Sequence, residues 1–227
     1  MLASWEVSFE EIDLEARPAA RAELARLGVP GPPATVAGDR VVHGWNPKAL
    51  AALVGIAYDE GARLAPAELA RRLDRVLEVG AHAMRQVPSE HLALKHPGRD
   101  RSIRQLGYHV FRLALASRDA MEGGHLPKAW QDEPAPPEVA DGPAVAAYGE
   151  TVRRNLASWF ARPGAWDRVV ETWYGPQSGH DLLERTTWHA AQHVRQVHDL
   201  LGRVGIKPDV PFTESDLRGL PLPIDLW

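Results

Sequence analysis

The sequence predicts an α+β protein, in which a small α/β unit of residues 1–56 precedes a four-helix bundle of residues 64–227. Before residue 56 short apolar runs alternate with glycine- and proline-rich turns, which is typical of short strands. From Leu64 onward the apolar residues recur with the period of a helix. With 44% hydrophobic and 25% charged residues, the chain is suited to one or two globular domains with a core.

The α/β unit is predicted from local patterns. Residues 7–14 alternate between apolar and polar, which predicts a strand, and Gly-Asp at 38–39 suits a hairpin turn. Asn-Pro at 46–47 predicts a helix start, because asparagine caps the first turn and proline fits its first position. The predicted strands cover residues 7–14, 34–37 and 40–43, and the predicted helices about 18–27 and 47–54. We expect the strand at 7–14 to pair with residues 34–37 or, in a homodimer, with a second copy of the chain.

The four bundle helices are predicted from apolar positions three or four residues apart and from the residues that end each run. They cover about residues 64–87, 102–121, 144–160 and 180–204. The stretch 123–143 is a long crossover, and its proline-rich part, 127–143, is predicted to lack regular structure. Residues 169–175 predict a short extended piece, and the tail 208–227 is predicted to wrap the surface.

The composition excludes several classes of function. A net charge of −4 gives no basic surface for nucleic acid. No apolar run reaches the roughly 20 residues of a membrane helix and no export signal is evident, so we expect a cytoplasmic protein with no membrane contact. The chain has no cysteine, which excludes a disulfide, a thiolate ligand or a cysteine nucleophile of its own. Any thiol in its chemistry must come from another molecule.

Three histidines are predicted to face the interior of the bundle. His189 and His193 are four residues apart and therefore project from one face of the fourth helix. The same face carries mostly apolar residues: Leu182, Thr186, Val197 and Leu200. His109 lies on the apolar stripe of the second helix. His198 is half a turn from His189, and we expect it to be exposed to solvent.

The histidines favour a metal site, although the spacing leaves another interpretation open. Two histidines four residues apart on a helix are more commonly hydrogen-bonded core side chains or surface side chains than metal ligands. Burying three imidazoles without partners costs about 1–3 kcal/mol each, whereas one divalent ion binds all three. Three histidines that leave coordination positions open are typical of catalytic rather than structural zinc. Zinc, nickel, iron and manganese all accept imidazole, so the identity of the metal stays open.

Residues 101–109 (RSIRQLGYH), residues 186–196 (TTWHAAQHVRQ) and the ending 219–223 (GLPLP) with Trp227 resemble the DinB-like (DinB/YfiT) superfamily of metal-binding four-helix bundles. The resemblance extends over about residues 64–227. In that superfamily one histidine of the second helix and an H-x-x-x-H of the fourth helix bind a divalent ion.

The resemblance implies that His109, His189 and His193 bind one divalent metal ion. Some members of the superfamily are metal-dependent transferases of low-molecular-weight thiols, others are isomerases or hydrolases, and many have no assigned activity. All three ligand positions of the family pattern are occupied by histidine in this sequence.

Residues 31–36 (GPPATV) and 44–47 (GWNP) resemble the second half of a glutaredoxin. The resemblance implies that residues 1–56 form a truncated thioredoxin-like module, in which Pro33 corresponds to the cis-proline beside the thiol site. The first strand and the redox C-x-x-C are missing from it. Either the gene begins upstream of Met1, or the module persists as a scaffold or as a surface that recognises thiol tripeptide-like ligands.

Several further residues are candidates for a substrate pocket, although aromatic residues in helical proteins are more commonly core. The candidate substrate-binding residues are Pro33, Trp45, Trp173 and Trp188, with Tyr174 and Trp227 as further aromatic candidates. Arg104, Arg112 and Arg195 could each bind a carboxylate, and Glu184 could orient a metal ligand or act as a general base. For all four the favoured interpretation is a solvated surface.

Two hypotheses for function follow. The first is a metal-dependent enzyme, in which the ion lowers the pKa of a small thiol or of water, with thiol transfer preferred over hydrolysis. The second is a metal-containing stress-response or ligand-binding protein without turnover. An enzyme needs an exchangeable coordination position, whereas a fourth protein ligand would close a structural site.

Overall fold

The computed structural model describes residues 1–12, 14, 17–96, 100–223 and 226. Its N-terminal unit contains α1 (Pro18–Arg26), β1 (Ala34–Ala37), β2 (Arg40–His43) and α2 (Pro47–Val54). The two strands pair in antiparallel orientation with Ala37 opposite Arg40. The Asn46 side chain accepts a hydrogen bond of 2.9 Å from the backbone N–H of Ala49 and so caps α2. These four predicted elements are confirmed.

The predicted first strand is wrong over residues 7–12, which form no strand. Asp13, inside the predicted run, lies outside the described residues. The apolar members of the run are not buried against a neighbour, since Phe9 is 53% and Ile12 41% exposed. Within the described part of the chain β1 pairs with β2 alone. The absent strand gives no reason for a homodimer, and dimerisation stays an untested prediction.

The rest of the chain is dominated by four long helices. Its elements are α3 (Pro66–Arg85), α4 (Ile103–Gly123), β3 (His125–Leu126), α5 (Lys128–Asp132), α6 (Gly142–Phe160), β4 (Val169–Thr172), β5 (Gly175–Ser178), α7 (Gly179–Arg203) and α8 (Glu214–Leu217). The side chains of Ser102, Asp141 and Ser178 cap α4, α6 and α7 by accepting backbone hydrogen bonds. The four predicted bundle helices agree with α3, α4, α6 and α7.

Each of two bundle helices, α3 and α4, packs against both α6 and α7. An apolar core fills the space between them. No helix in the described part of the chain is both long enough and apolar enough to cross a membrane.

The crossover from α4 to α6 contains regular structure that the sequence analysis did not predict. Strand β3 pairs in parallel with β4, and β4 pairs in antiparallel orientation with β5, so the predicted extended piece becomes part of a three-stranded sheet. The stretch 127–143 was predicted to be irregular, but α5 lies within it. Pro127 occupies the cap position of α5 and the next proline is Pro134, so no proline interrupts the helix.

The C-terminal tail lies along the bundle, as predicted. Its short helix α8 begins with a capping box between Thr213 and Asp216, and Leu220 is buried. The ring of Phe212 lies 5.6 Å from that of His198, which is half-buried. The prediction of an exposed His198 is therefore wrong, because the tail covers that side of α7. Residues 224, 225 and 227, including Trp227, lie outside the described residues.

The N-terminal unit lies against the beginning of α7. Gly44 has a left-handed backbone (φ +75°), and a Cβ atom there would collide with the carbonyl oxygen of Tyr174. The rings of Trp45 and Trp188 lie 5.4 Å apart. Arg63 binds Asp181 at 2.8 Å and thereby fixes the segment before α3 to the first turn of α7. These contacts place the N-terminal unit beside the central histidines of the bundle.

Candidate metal centre

The three predicted histidines converge between α4 and α7. The candidate ligand nitrogens of His109, His189 and His193 all lie within 4.8 Å of one another. Two nitrogens on one zinc ion lie up to about 4 Å apart, given Zn–N distances of about 2.0–2.1 Å. The three nitrogens are therefore close to ligating separation. Among the residues that the structure describes, no fourth histidine or carboxylate joins the group.

Hydrogen bonds orient the imidazoles. Nδ1 of His193 donates to the amide oxygen of Gln196 at 2.7 Å, which leaves the lone pair on its Nε2. His109 forms a hydrogen bond with the backbone of Gln131, on α5. Orientation of a ligand histidine through its other nitrogen is the usual arrangement in metal sites.

Burial keeps two of the imidazoles, those of His109 and His189, neutral. Burial and the neighbouring His193 lower the pKa of both His109 and His189 well below the ordinary 6.5. Positive charge on Arg101 and Arg185 lowers both pKa values further. Neutral imidazole is the form that binds metal ions, so no proton has to be displaced from His109 or His189 near pH 7.

The residues present fit a divalent metal ion. Nε2 of His109 and Nδ1 of His189 are buried and have no hydrogen-bond partner among the described residues. Unpartnered buried nitrogens are costly, and a shared ion would satisfy them. The donor set is all imidazole, which suits zinc, nickel or iron better than calcium or magnesium.

A large cleft gives access to the histidines. It has a volume of about 1330 Å³ and lies between the N-terminal unit and the bundle. His189 and His193 line its bundle side, and Leu24 and Pro32 line its other side. A smaller pocket of about 300 Å³ is lined by both His109 and His189. The space beside the histidines is therefore sufficient for a small organic molecule.

The candidate substrate-binding residues fall into two groups. Pro33 and Trp173 line the small pocket together with His109 and His189. The Pro32–Pro33 peptide bond is cis, as the glutaredoxin resemblance implies. Trp45 and Trp188 instead pack against one another where the N-terminal unit meets α7.

Two buried residues of the small pocket were missed by sequence reasoning, Arg185 and Gln131. Arg185 lies one turn before His189 on α7, and this spacing is a signal that could have found it. Gln131 lies on α5, inside the stretch predicted to be irregular, and no sequence pattern marks it.

The charged residues predicted to be solvated are bound within the protein instead. Glu184 is only 5% exposed and pairs with Arg63 at 3.0 Å. Arg112 is buried and pairs with Glu133, while Arg104 and Arg195 donate to backbone carbonyls. The prediction was wrong because the crossover, the tail and the segment before α3 cover helix faces that would be exposed on an isolated bundle.

Comparison with known proteins shows that the fold of this chain is similar to that of solved structures. A scan against protein-family models and a search of curated proteins found no match. The solved structure of a DinB-like protein from Bacillus subtilis, YjoA, has a TM-score of 0.51 at 15% identity, over 64% of this chain and 96% of its own. YfiT from Bacillus subtilis, described as a probable metal-dependent hydrolase with an unusual four-helix bundle topology, has a TM-score of 0.52 at 16% identity, over 67% and 96%. The chain therefore has the four-helix-bundle fold of DinB-like proteins.

Proposed function

We propose that this protein is a metal-dependent enzyme in which His109, His189 and His193 hold one divalent ion, zinc, nickel, iron or manganese. We propose further that it transfers a low-molecular-weight thiol to an electrophile. The observation that carries the proposal is the group of three histidine nitrogens, two of whose histidines, His189 and His193, line a cleft of about 1330 Å³.

The three-ligand composition favours catalysis over a structural role. Structural zinc sites are usually closed by four protein ligands, whereas catalytic sites leave a position for substrate or water. When bound, the ion would supply Lewis acidity that lowers the pKa of a thiol or of water to near neutrality.

The residues of the chain would perform the remaining tasks. Gln196 orients His193, and the backbone of Gln131 orients His109. The N-terminal unit forms the wall opposite the bundle and limits contact of the cleft with bulk water. With no cysteine in the chain, the sulfur nucleophile would be a second substrate.

Thiol transfer is preferred because of the position of Pro33. The sequence around it resembles the thiol-binding stretch of glutaredoxins, and Pro33 lines the small pocket together with His109 and His189. A free thiol with a pKa of about 8.5 is only a few per cent ionised at pH 7, so its activation gives a large gain in nucleophile.

Hydrolysis is the second candidate function. YfiT, which shares the fold, is described as a probable metal-dependent hydrolase, and an ion held by the three histidines would supply the Lewis acidity that activates water. A protein that binds metal without turnover is the third alternative, and the activity test distinguishes it from both enzymes.

The test measures metal and turnover together. Elemental analysis of protein purified without an affinity tag should give about one ion per chain for the wild type and none for His109→Ala. The metal-loaded protein is then incubated with a panel of small thiols and one fluorogenic electrophile, with His109→Ala as the blank. A wild type that reacts no faster than this blank with any thiol would exclude transfer, and the same preparations would then be assayed with ester and amide substrates.

A further inference from the structure

Among the described residues of the bundle three arginines are less than 10% exposed, and only two of them have a carboxylate partner. Arg72 pairs with Glu68 at 2.6 Å, and Arg112 pairs with Glu133. Arg185 is 8% exposed and has no carboxylate within ion-pair distance among the residues described. A buried guanidinium without a counter-ion is unfavourable, and none of the described residues supplies one, so an anionic ligand would stabilise it.

The surroundings of Arg185 hold its guanidinium in place. It lies 4.4 Å from the centre of the Tyr174 ring, which is a cation–π contact. Its Nη1 is buried and has no hydrogen-bond partner among the described residues. Arg185 lines the small pocket of about 300 Å³ that also contains His109 and His189.

A second buried donor lines the same pocket. Gln131 is 4% exposed, and its amide Nε2 has no hydrogen-bond partner among the described residues. Its oxygen is already engaged, since it accepts a hydrogen bond of 3.4 Å from the indole of Trp173. Two buried donors without acceptors in one pocket are complementary to an acceptor with two oxygens, and a carboxylate has that form.

The charges that line the pocket favour an anion. Arg101 and Lys128 line it, and both pair with Asp132, at 3.3 Å and 3.6 Å. Asp132 lines the pocket as well, and Arg185 alone is left without a negative partner among the described residues of the pocket. The lining therefore has an excess of positive charge, and the two oxygens of a carboxylate match the two unpartnered donors.

We propose that the small pocket is a carboxylate subsite, in which Arg185 and Gln131 bind the carboxylate of a substrate whose reacting end lies at the three histidines. This inference rests on the proposed function and specifies its substrate class: one of the two reactants is a carboxylic acid. Binding of this carboxylate supplies the counter-ion that Arg185 lacks.

The test uses benzoate and its neutral isostere benzamide as probes in calorimetric titrations of the full-length protein. We expect benzoate to bind and benzamide to bind at least tenfold more weakly, because only benzoate is charged. Arg185→Gln should weaken benzoate binding at least tenfold at unchanged metal content. Arg112→Gln is the matched control, since it removes an equally buried arginine away from the pocket, and benzoate binding should persist in it.

Further variants keep the result interpretable. Gln131→Glu adds a carboxylate to the pocket wall, so it should abolish benzoate binding and raise the melting temperature even if Arg185→Gln does not fold. His193→Ala removes a proposed metal ligand that does not line the small pocket. Benzoate binding that survives in His193→Ala and is lost in Gln131→Glu supports the subsite, whatever the fate of the metal proposal. Equal binding of benzoate and benzamide, or benzoate binding that needs His193 but not Arg185, would overturn it.

Discussion

The two sides of the bundle differ in what they bury. Helices α3 and α6 bury mostly apolar residues, among them Leu69, Leu73, Val76, Val145, Val152 and Leu156. Helices α4 and α7 bury polar ones as well, among them His109, Ser117, Thr186, Gln192 and His193. Ser117 and Thr186 satisfy one another through a hydrogen bond of 2.6 Å.

This difference suggests that the α3–α6 side serves mainly the stability of the fold and the α4–α7 side mainly the binding of ligands. Burial of aliphatic side chains stabilises the fold without any specific partner, at about 25 cal/mol per Å². Burial of polar side chains is favourable only when each finds a partner, and near the histidines some have none among the described residues. We therefore expect changes on the α4–α7 side to alter binding and changes on the α3–α6 side to alter stability.

The largest expected effect is on the α4–α7 side. His189→Ala should abolish stoichiometric metal binding, because two histidines cannot retain the ion. His198→Ala, on the same helix and outside the histidine group, should bind as much metal as the wild type. Elemental analysis of both proteins measures this, and equal metal content in the two would refute the proposed centre.

On the α3–α6 side, Leu73→Ala should reduce the free energy of unfolding by about 2–5 kcal/mol, because it leaves a cavity in a closed apolar core. Urea denaturation measures this change, with Val169→Ala as a control since Val169 is 64% exposed. Metal content should be the same in both variants. A Leu73→Ala protein that is stable but free of metal would contradict the separation of the two sides.

A smaller effect is expected where the N-terminal unit meets the α4–α7 side. Gly44→Ala should loosen this unit, because the new Cβ would collide with the Tyr174 carbonyl oxygen. Gly38→Ala is the matched control: Gly38 also has a positive φ, of 62°, but a Cβ added there would meet no atom within 4 Å. Limited proteolysis should cleave residues 1–56 several-fold faster in Gly44→Ala only. Equal cleavage rates in the two variants would mean that backbone strain, and not the contact, is responsible.

The smallest expected effect is a pH dependence at the far end of α7. Burial under the tail lowers the pKa of His198 below 6.5, partly offset by Asp209. The unfolded chain therefore binds this proton more readily, so stability is full above pH 6.5 and is lost as pH falls below it. Melting temperatures at pH 8 and pH 5 should differ less for His198→Leu than for the wild type. An unchanged difference would show that His198 does not titrate in this range.

The sequence predicted the histidine group because helix periodicity fixes the direction of each side chain. His109, His189 and His193 lie on long helices, so their common orientation could be worked out without knowledge of other elements. Arg185 has the same periodicity, yet its missing partner is visible only after the surrounding elements are placed. Gln131 and His198 depend on α5 and on the tail, whose positions are decided by tertiary contacts and not by local pattern.

The glutaredoxin-like interpretation of residues 1–56 is supported by fewer observations than the histidine group. The hairpin and α2 agree with prediction because turn and cap residues act locally. The strand at 7–14 was inferred from alternation alone, and alternation indicates a strand only where one face is covered. The thioredoxin-like relationship of this unit stays a prediction.

The ion pair of Arg63 with Asp181 and Glu184 also limits how far the N-terminal unit can move. Residues 55–65 connect α2 to α3 and could extend to about 36 Å. When Arg63 is held in place, only residues 55–62 remain as a free tether, and they extend to about 26 Å. A unit that detaches from α7 on such a tether stays at a high effective concentration near its docking surface. Opening of the cleft would then be a brief local event, and because both ion pairs of Arg63 are at least partly buried, the width of the entrance should change little with ionic strength.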